Sequence, residues 1–370
     1  MAIAIIVISC KKDDFQSQQA ASQESAAKAP ELQVRVVNDH LNYPWEILWG
    51  PDNYIWFTQR EGTVNRINPA TGEVTLVKHI EEVATTTPYN GLLGMALHPD
   101  FTNNPYVYVV YNYWGANHIY LEKVVRYTYD GTSLTSPKTI INGIKGRSGG
   151  DFIHNGSRLV IGPDMKLYVT TGDANHREIF PQNHRFLNGK ILRVNLDGTI
   201  PADNPYGNVV WAIGQRNPQG LVYANGTLYS SMHGESTNDE INIIEKGGNY
   251  GWPYVEGYCD LPKEKTFCAE NDVIEPIYAW TPTIAPSGLD YYNNDAIPAW
   301  KNSLLLAVLK DEELIALKLN AAGTAIESEH EYFKGKFGRM RDIAISPDGT
   351  VYICTDNGGN ADMIIEVRNK

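Results

Sequence analysis

Beyond about Leu32 the chain is a succession of short apolar runs broken by Gly, Pro, Asn and Asp. Examples are Tyr54-Ile-Trp-Phe-Thr58, Tyr106-Val-Tyr-Val-Val110, Leu167-Tyr-Val-Thr-Thr171 and Val351-Tyr-Ile-Cys-Thr355. No long window sustains a 3.6-residue apolar repeat, so the pattern predicts strands rather than helices. The 22 Tyr and 8 Trp suit the same reading, because aromatic side chains pack well on a pleated surface. One unit, a turn followed by a strand, recurs along the chain. It appears at Gly50–Trp56, at His98-Pro-Asp100 ahead of Tyr106, at Gly162–Tyr168, at Ala224–Tyr229 and at Ser346–Tyr352. A weaker copy is Trp300–Leu306. The intervals leave room for four strands and variable loops, so six copies predict an all-β, six-bladed β-propeller over residues 32–370. A pair of β-sandwiches would not need the unit to recur.

The N-terminal residues have a different character. Ala2–Ser9 is an apolar run that ends at Cys10 and is followed by Lys11-Lys12-Asp13-Asp14. Val7-Ile8-Ser9-Cys10 resembles a bacterial lipoprotein box, although the run is short and no basic residue precedes it. Residues 1–10 are therefore expected to be a signal segment, and 11–31, rich in Gln, Ser, Ala and Lys, a flexible tether. An exported protein of the periplasm or cell envelope is expected, touching membrane only through a lipid at Cys10. No 18-residue apolar stretch predicts a spanning helix. A net charge of −12 argues against a nucleic-acid groove. Cys259 and Cys268, nine positions apart in a polar loop, could close a disulfide worth about 2.5–3 kcal/mol in the chain-entropy model. Two unpaired thiols are the alternative. Cys354, inside an apolar strand, reads as a buried core thiol.

In a propeller, chemistry belongs in the irregular loops between repeat copies. Four stretches have that character. They are Ile153-His154-Asn155-Gly156-Ser157-Arg158-Leu159, which runs on to Thr170-Thr171-Gly172-Asp173, and Gly214-Gln215-Arg216-Asn217-Pro218-Gln219-Gly220. The others are His233–Asn242 with Gly248-Asn249-Tyr250-Gly251-Trp252-Pro253, and Lys310 with Gly338-Arg339-Met340-Arg341-Asp342. In this order they resemble the soluble quinoprotein glucose/aldose sugar dehydrogenases, six-bladed propellers that carry pyrroloquinoline quinone (PQQ) and calcium. The resemblance runs from Leu41 to Val367.

That resemblance implies oxidation of an aldose at its anomeric carbon to a lactone. His154 matches the family's base, a role histidine's intrinsic proton affinity suits near neutrality. The family often has a second glycine where Ser157 stands. Arg216, Asn217, Lys310, Arg339 and Arg341 match its cofactor contacts, and guanidinium forks suit the quinone's three carboxylates. The resemblance also implies a calcium ion held by successive main-chain carbonyls at Gly234-Glu235, where the family has Gly-Pro. Glu240 and the Tyr250 carbonyl match a second, structural calcium position. For the sugar, Asn90 stands where relatives carry a glutamine contact, and Trp280 beside Tyr278 is expected at an aromatic rim. The physiological electron acceptor is not implied. The fold alone also admits a calcium-dependent lactonase or hydrolase, or a non-enzymatic carbohydrate-binding propeller.

Overall fold

The computed structural model describes residues 30–87, 89–147 and 153–370. The Cys10 segment and nearly all of the expected tether lie outside the described residues. Six four-stranded antiparallel sheets account for the strands. Blades 1 to 5 span residues 44–79, 92–145, 156–213, 218–280 and 286–332, each with its strands in simple sequential order. Blade 6 takes three strands from 340–369 and its fourth, outermost strand from the N-terminal side, Leu32–Leu41. Pairing the two ends of the chain in one sheet closes the ring without leaving a gap between first and last blades.

Each copy of the recurring unit proves to be the hairpin between the first and second strands of one blade, once in every blade. The copy at Gly50–Trp56 also explains its aspartate. Asp52 accepts the Trp56 indole N–H at 3.0 Å and pairs with Arg66 at 2.8 Å, tying the turn to the blade.

The apolar core is not one cluster but six, each lying between two neighbouring blades. Between blades 2 and 3, for example, Tyr108, Val110 and Val124 pack on Leu167, Val169 and Leu192. Strands buried on both faces explain why the runs are continuously apolar rather than alternating.

The innermost strands meet around the axis, and there the sequence turns polar. Arg158, 2% exposed, reaches Glu46 of blade 1 at 2.8 Å and Asp342 of blade 6 at 2.9 Å. Its Nε donates to the Gln219 carbonyl of blade 4 at 2.9 Å, and its guanidinium lies 4.3 Å over the Trp45 ring. Burial pushes the Glu46 carboxyl well up, and the nearby Asp342 adds to that. This cluster lies between two cavities. Trp45, Gly156 and Arg341 border a cavity on one side of it, while residues 47–49, 159–161 and 343–345 border another on the other side.

Blade 4 carries the long insertion between its third and fourth strands. It holds a helix, Pro262–Asn271, and the Cys259–Cys268 disulfide, with Cα atoms 6.4 Å apart. The bonded alternative of the two cysteine readings is therefore the one present. Cys354 is a buried free thiol, as its apolar strand implied.

Candidate active site

The cavity above the Arg158 cluster is lined by residues that precede or begin the first strands of several blades and by residues that follow their second strands. Trp45, Arg60, Tyr89, His154, Asn217, Gln219, His233, Arg339 and Arg341 all contribute. His154 sits just before the first strand of blade 3 with φ of +59°, in the left-handed region. A non-glycine residue there costs of order 1–2 kcal/mol, so the surrounding contacts must enforce it. Part of the enforcement is the close approach of Gly172, where a Cβ would lie 1.9 Å from the His154 carbonyl oxygen.

His154 Nδ1 lies 2.7 Å from Asp173 Oδ1. Asp173 is fully buried and also accepts the Trp252 indole N–H at 2.8 Å and the Asn175 backbone N–H at 2.7 Å. Burial pushes its carboxyl up, but the hydrogen bonds from His154, Trp252 and Asn175 outweigh that and hold it below the usual aspartate range. A carboxylate can only accept, so the imidazole proton belongs on Nδ1. Nε2 is left as the ring's acceptor on the cavity side. His233, the second cavity histidine, bonds the Pro286 carbonyl at 2.8 Å, and burial together with Arg216 lowers it to about 3. It stays neutral at any working pH.

Three arginines line the cavity. Arg341 donates to Gln219 Oε1 at 2.7 Å and to Asp356, and Arg60 faces Asp356 at 3.3 Å with its guanidinium 3.6 Å over Tyr43. The guanidinium of Arg339, half-buried, reaches only the Leu309 carbonyl among the described residues, at 3.4 Å. Arg216 borders the site, bonding the His233 carbonyl at 3.3 Å and lying 5.3 Å over the Trp252 ring. Among the described residues, Arg216 Nε and Arg341 Nε are buried without a hydrogen-bond partner, and Arg60 Nη2 has only its 3.3 Å ion pair with Asp356. Buried donors left unmet in the protein are a cost that an anionic ligand would remove.

A sequence model of the glucose/sorbosone dehydrogenases matches residues 41–365. The chain belongs to that family. It is 34% identical to quinoprotein glucose dehydrogenase B of Acinetobacter calcoaceticus, over 92% of this chain and 88% of that protein. It is 29% identical to the aldose sugar dehydrogenase YliI of Escherichia coli, over 91% and 94%. The PQQ-bound aldose sugar dehydrogenase from Streptomyces coelicolor superimposes with a TM-score of 0.77 at 31% identity, covering 92% of this chain and all of that one. The propeller and the family expected from the loop strings are thus both found.

Not every residue of this family member expected at the site lies there. His154, Asn217, Arg339 and Arg341 line the cavity and Arg216 adjoins it. Asn217 has one hand occupied, because its Oδ1 accepts the Gly156 N–H at 3.1 Å. Lys310 is exposed next to the lining residue Leu309, and its ammonium is held by Thr283 O at 2.5 Å and Thr283 Oγ1 at 3.2 Å.

Two residues expected to meet the sugar do not line this cavity. Asn90 is completely buried; its Oδ1 accepts the Thr86 and Thr87 N–H groups, and its Nδ2 donates to Thr86 Oγ1 at 2.7 Å. Its amide staples a loop, and the exposed neighbour Tyr89 is what meets the cavity. Trp280 lies on the outermost strand of blade 4, with its indole N–H on Glu329 at 3.1 Å and its ring against Tyr278. It packs between blades 4 and 5, away from the cavity.

The metal expectations fare unevenly. The Gly234 N–H is held by Asp239 Oδ1 at 2.7 Å, while Asp239 Oδ2 caps the N–H groups of Ile284 and Ala285. Glu235 is exposed and its carboxylate pairs with Arg177, with one contact at 3.0 Å, so the main chain is what this position can offer a cation. Glu240 is buried, accepts from Asn242 and the Gly257 N–H at 2.8 Å each, and is raised by burial to about 7. The Tyr250 carbonyl accepts the Trp252 N–H at 3.0 Å. Among the described residues no three His, Cys, Asp or Glu side chains converge on a common metal position.

Asp173, Arg60 and His233 are residues of the site that had no role assigned from the sequence. Asp173 lay within a quoted string but was given no role, and Arg60 was not singled out at all. The signal for Asp173 was its place after Gly172, a glycine that lets the two loops touch.

Proposed function

We propose that the protein oxidises aldoses at the anomeric carbon to lactones, with His154 as the base and PQQ as hydride acceptor. The observation that carries this is the union of an Asp173-oriented histidine with an arginine cluster in and beside one cavity, in which Arg341 Nε and Arg216 Nε are buried without a partner among the described residues. That donor set fits a planar tricarboxylate, so Arg60, Arg339, Arg341 and Arg216 would hold the quinone. When bound, the cofactor supplies an electrophilic carbonyl that accepts the C1 hydride. His154 Nε2 takes the anomeric hydroxyl proton as the C1–H bond breaks, which leaves a C1 carbonyl and hence the lactone. Asp173 keeps the Nδ1 proton in place and stabilises the imidazolium that forms. His233, neutral and hydrogen-bonded, adds polarity without competing for the proton.

Calcium belongs to the same proposal, on the main chain at Gly234-Glu235, because the Glu235 carboxylate is already paired. Export of the protein and a lipid at Cys10 are proposed with it, on the sequence of residues 1–10.

The direct test is the purified full chain mixed with PQQ and calcium. Bound-cofactor absorbance should appear and aldoses should bleach it toward the reduced form; bound quinone that no aldose reduces would sink the proposed reaction. Arg341→Ala and Arg339→Ala should each weaken quinone binding about 10- to 100-fold, the scale of one charged hydrogen bond of about 1.5–3 kcal/mol. Titration by fluorescence quenching reads this without turnover, and parent-like curves for both variants would remove the arginines from the cofactor site. Chelation with EDTA should abolish sugar oxidation and added calcium should restore it. Full activity in protein proven metal-free by elemental analysis would eliminate the cation.

A further inference from the structure

Behind the His154 loop lies a buried carboxyl group that the proposed chemistry does not use. Glu122, on the third strand of blade 2, is 1% exposed. Its Oε2 accepts the Ser157 hydroxyl at 2.7 Å and the Asn112 amide at 3.3 Å. The same Asn112 amide reaches Asn155 Oδ1 at 3.2 Å, and Asn155 donates to the Tyr89 carbonyl at 3.0 Å. One carboxyl group thus holds both residues that flank Gly156, and His154 is the next residue back. Ser157 is itself completely buried with φ of +70°, where a side chain is strained and glycine would not be. A serine kept at that cost needs a compensating bond, and Glu122 supplies it.

We propose that Glu122 is a positioning residue for His154, fixing the loop that carries the base through Ser157 and Asn112. The role of His154 rests on the sugar-oxidising reading above. Burial pushes the Glu122 carboxyl up to about 8 against the opposing hydrogen bonds of Ser157 and Asn112, so it is neutral at pH 7. Neighbouring charges do not rescue an anion there. On its own strand, Lys123 is engaged with Glu82 and the Tyr120 phenol is itself pushed far up. On the adjoining strand, Lys145 lies over the rings of Phe180 and Phe186. From blade 3 and from the second strand of blade 2 the contacting groups are the uncharged Ser157 and Asn112. Loss of the proton therefore creates a poorly solvated charge directly under the loop, and the loop must give way to water.

The experiment compares the parent full chain with Glu122→Gln and Glu122→Ala. In the reconstituted enzyme, parent kcat should fall about fivefold from pH 8 to pH 9 and about tenfold from pH 9 to pH 10, with little change in KM, as one titration near 8 requires. Glu122→Gln should lack that fall, and Glu122→Ala should lose kcat at pH 7 that Glu122→Gln largely recovers. A second readout needs no sugar. An ordinary glutamate in the unfolded chain titrates near 4.3, so between about pH 4.5 and 8 the unfolded state gives up a proton that the folded state keeps. Parent stability should therefore decline relative to Glu122→Gln through that window and level off above it. A third is the Nδ1 proton resonance of His154, which should move between pH 7 and 9 in the parent and stay put in Glu122→Gln. An identical alkaline limb, or an identical His154 resonance, in parent and Glu122→Gln would overturn the proposal. A widening melting gap and a moving resonance in a protein that oxidises no sugar would uphold the positioning and defeat the reaction instead.

Discussion

Replacing His154 with alanine is expected to lower kcat by about 10²–10⁴, the usual contribution of one general base, while quinone binding stays near that of the parent. The expectation follows from what the residue touches. Its ring lines the cavity, and its Nδ1 is fixed by Asp173, which is in turn fixed by Trp252 and the Asn175 N–H. None of the cavity arginines is bonded to it, so removing the ring leaves the cation set intact. Asp173→Asn should share most of the loss for a different reason. An amide can donate to Nδ1, which would move the imidazole proton to Nε2 and leave no acceptor facing the substrate. Stopped-flow reduction of bound quinone by an aldose measures the step directly. A His154→Ala protein that reduces its quinone at the parent's rate would take His154 out of the mechanism.

The second large effect concerns stability. Arg158→Ala should cost about 3–5 kcal/mol, because it strands the buried Glu46 and Asp342 carboxyls without their shared cation. The arginine also joins blades 1, 3, 4 and 6, so its loss loosens the axis rather than one blade. Urea midpoints at pH 7 measure the change. Adding Glu46→Gln and Asp342→Asn to Arg158→Ala should recover much of the loss, since the stranded charges are then gone. A single variant within about 1 kcal/mol of the parent would mean that the cluster does not stabilise the junction of blades 1, 3, 4 and 6.

Much of the architecture was legible because it is written locally. A blade's inner hairpin needs a tight turn and two strands buried on both faces. Gly50–Trp56 and Ser346–Tyr352 carry that requirement in their own residues, as turn formers followed by aromatic and β-branched runs. Repetition at blade-sized intervals then gave the number of blades. The loop strings around His154, Arg216 and Arg339 were legible for a similar reason: each keeps its reacting side chain beside the glycines or prolines that shape its backbone.

What the sequence did not decide was where side chains point once distant segments meet. Asn90 and Trp280 had suitable chemistry for a sugar. Yet Asn90's amide is consumed by Thr86 and Thr87 four residues or fewer away, and Trp280's indole by Glu329 of the next blade. Lys310 looked like a cofactor cation, but the turn after Leu309 directs it to Thr283. Conversely Arg60 follows and Glu122 lies in an ordinary-looking strand, and only the ring of blades brings them to Asp356 and Ser157, while Asp173 meets His154 across the first hairpin of blade 3. The sequence by itself determined the strands, their turns and the six-fold repetition, since these depend on contacts within a blade. The tertiary structure decided the Arg158 cluster at the axis, the orientation of the base and the choice of cavity arginines. Those depend on hydrogen bonds and ion pairs between residues tens to hundreds of positions apart, which no local pattern encodes.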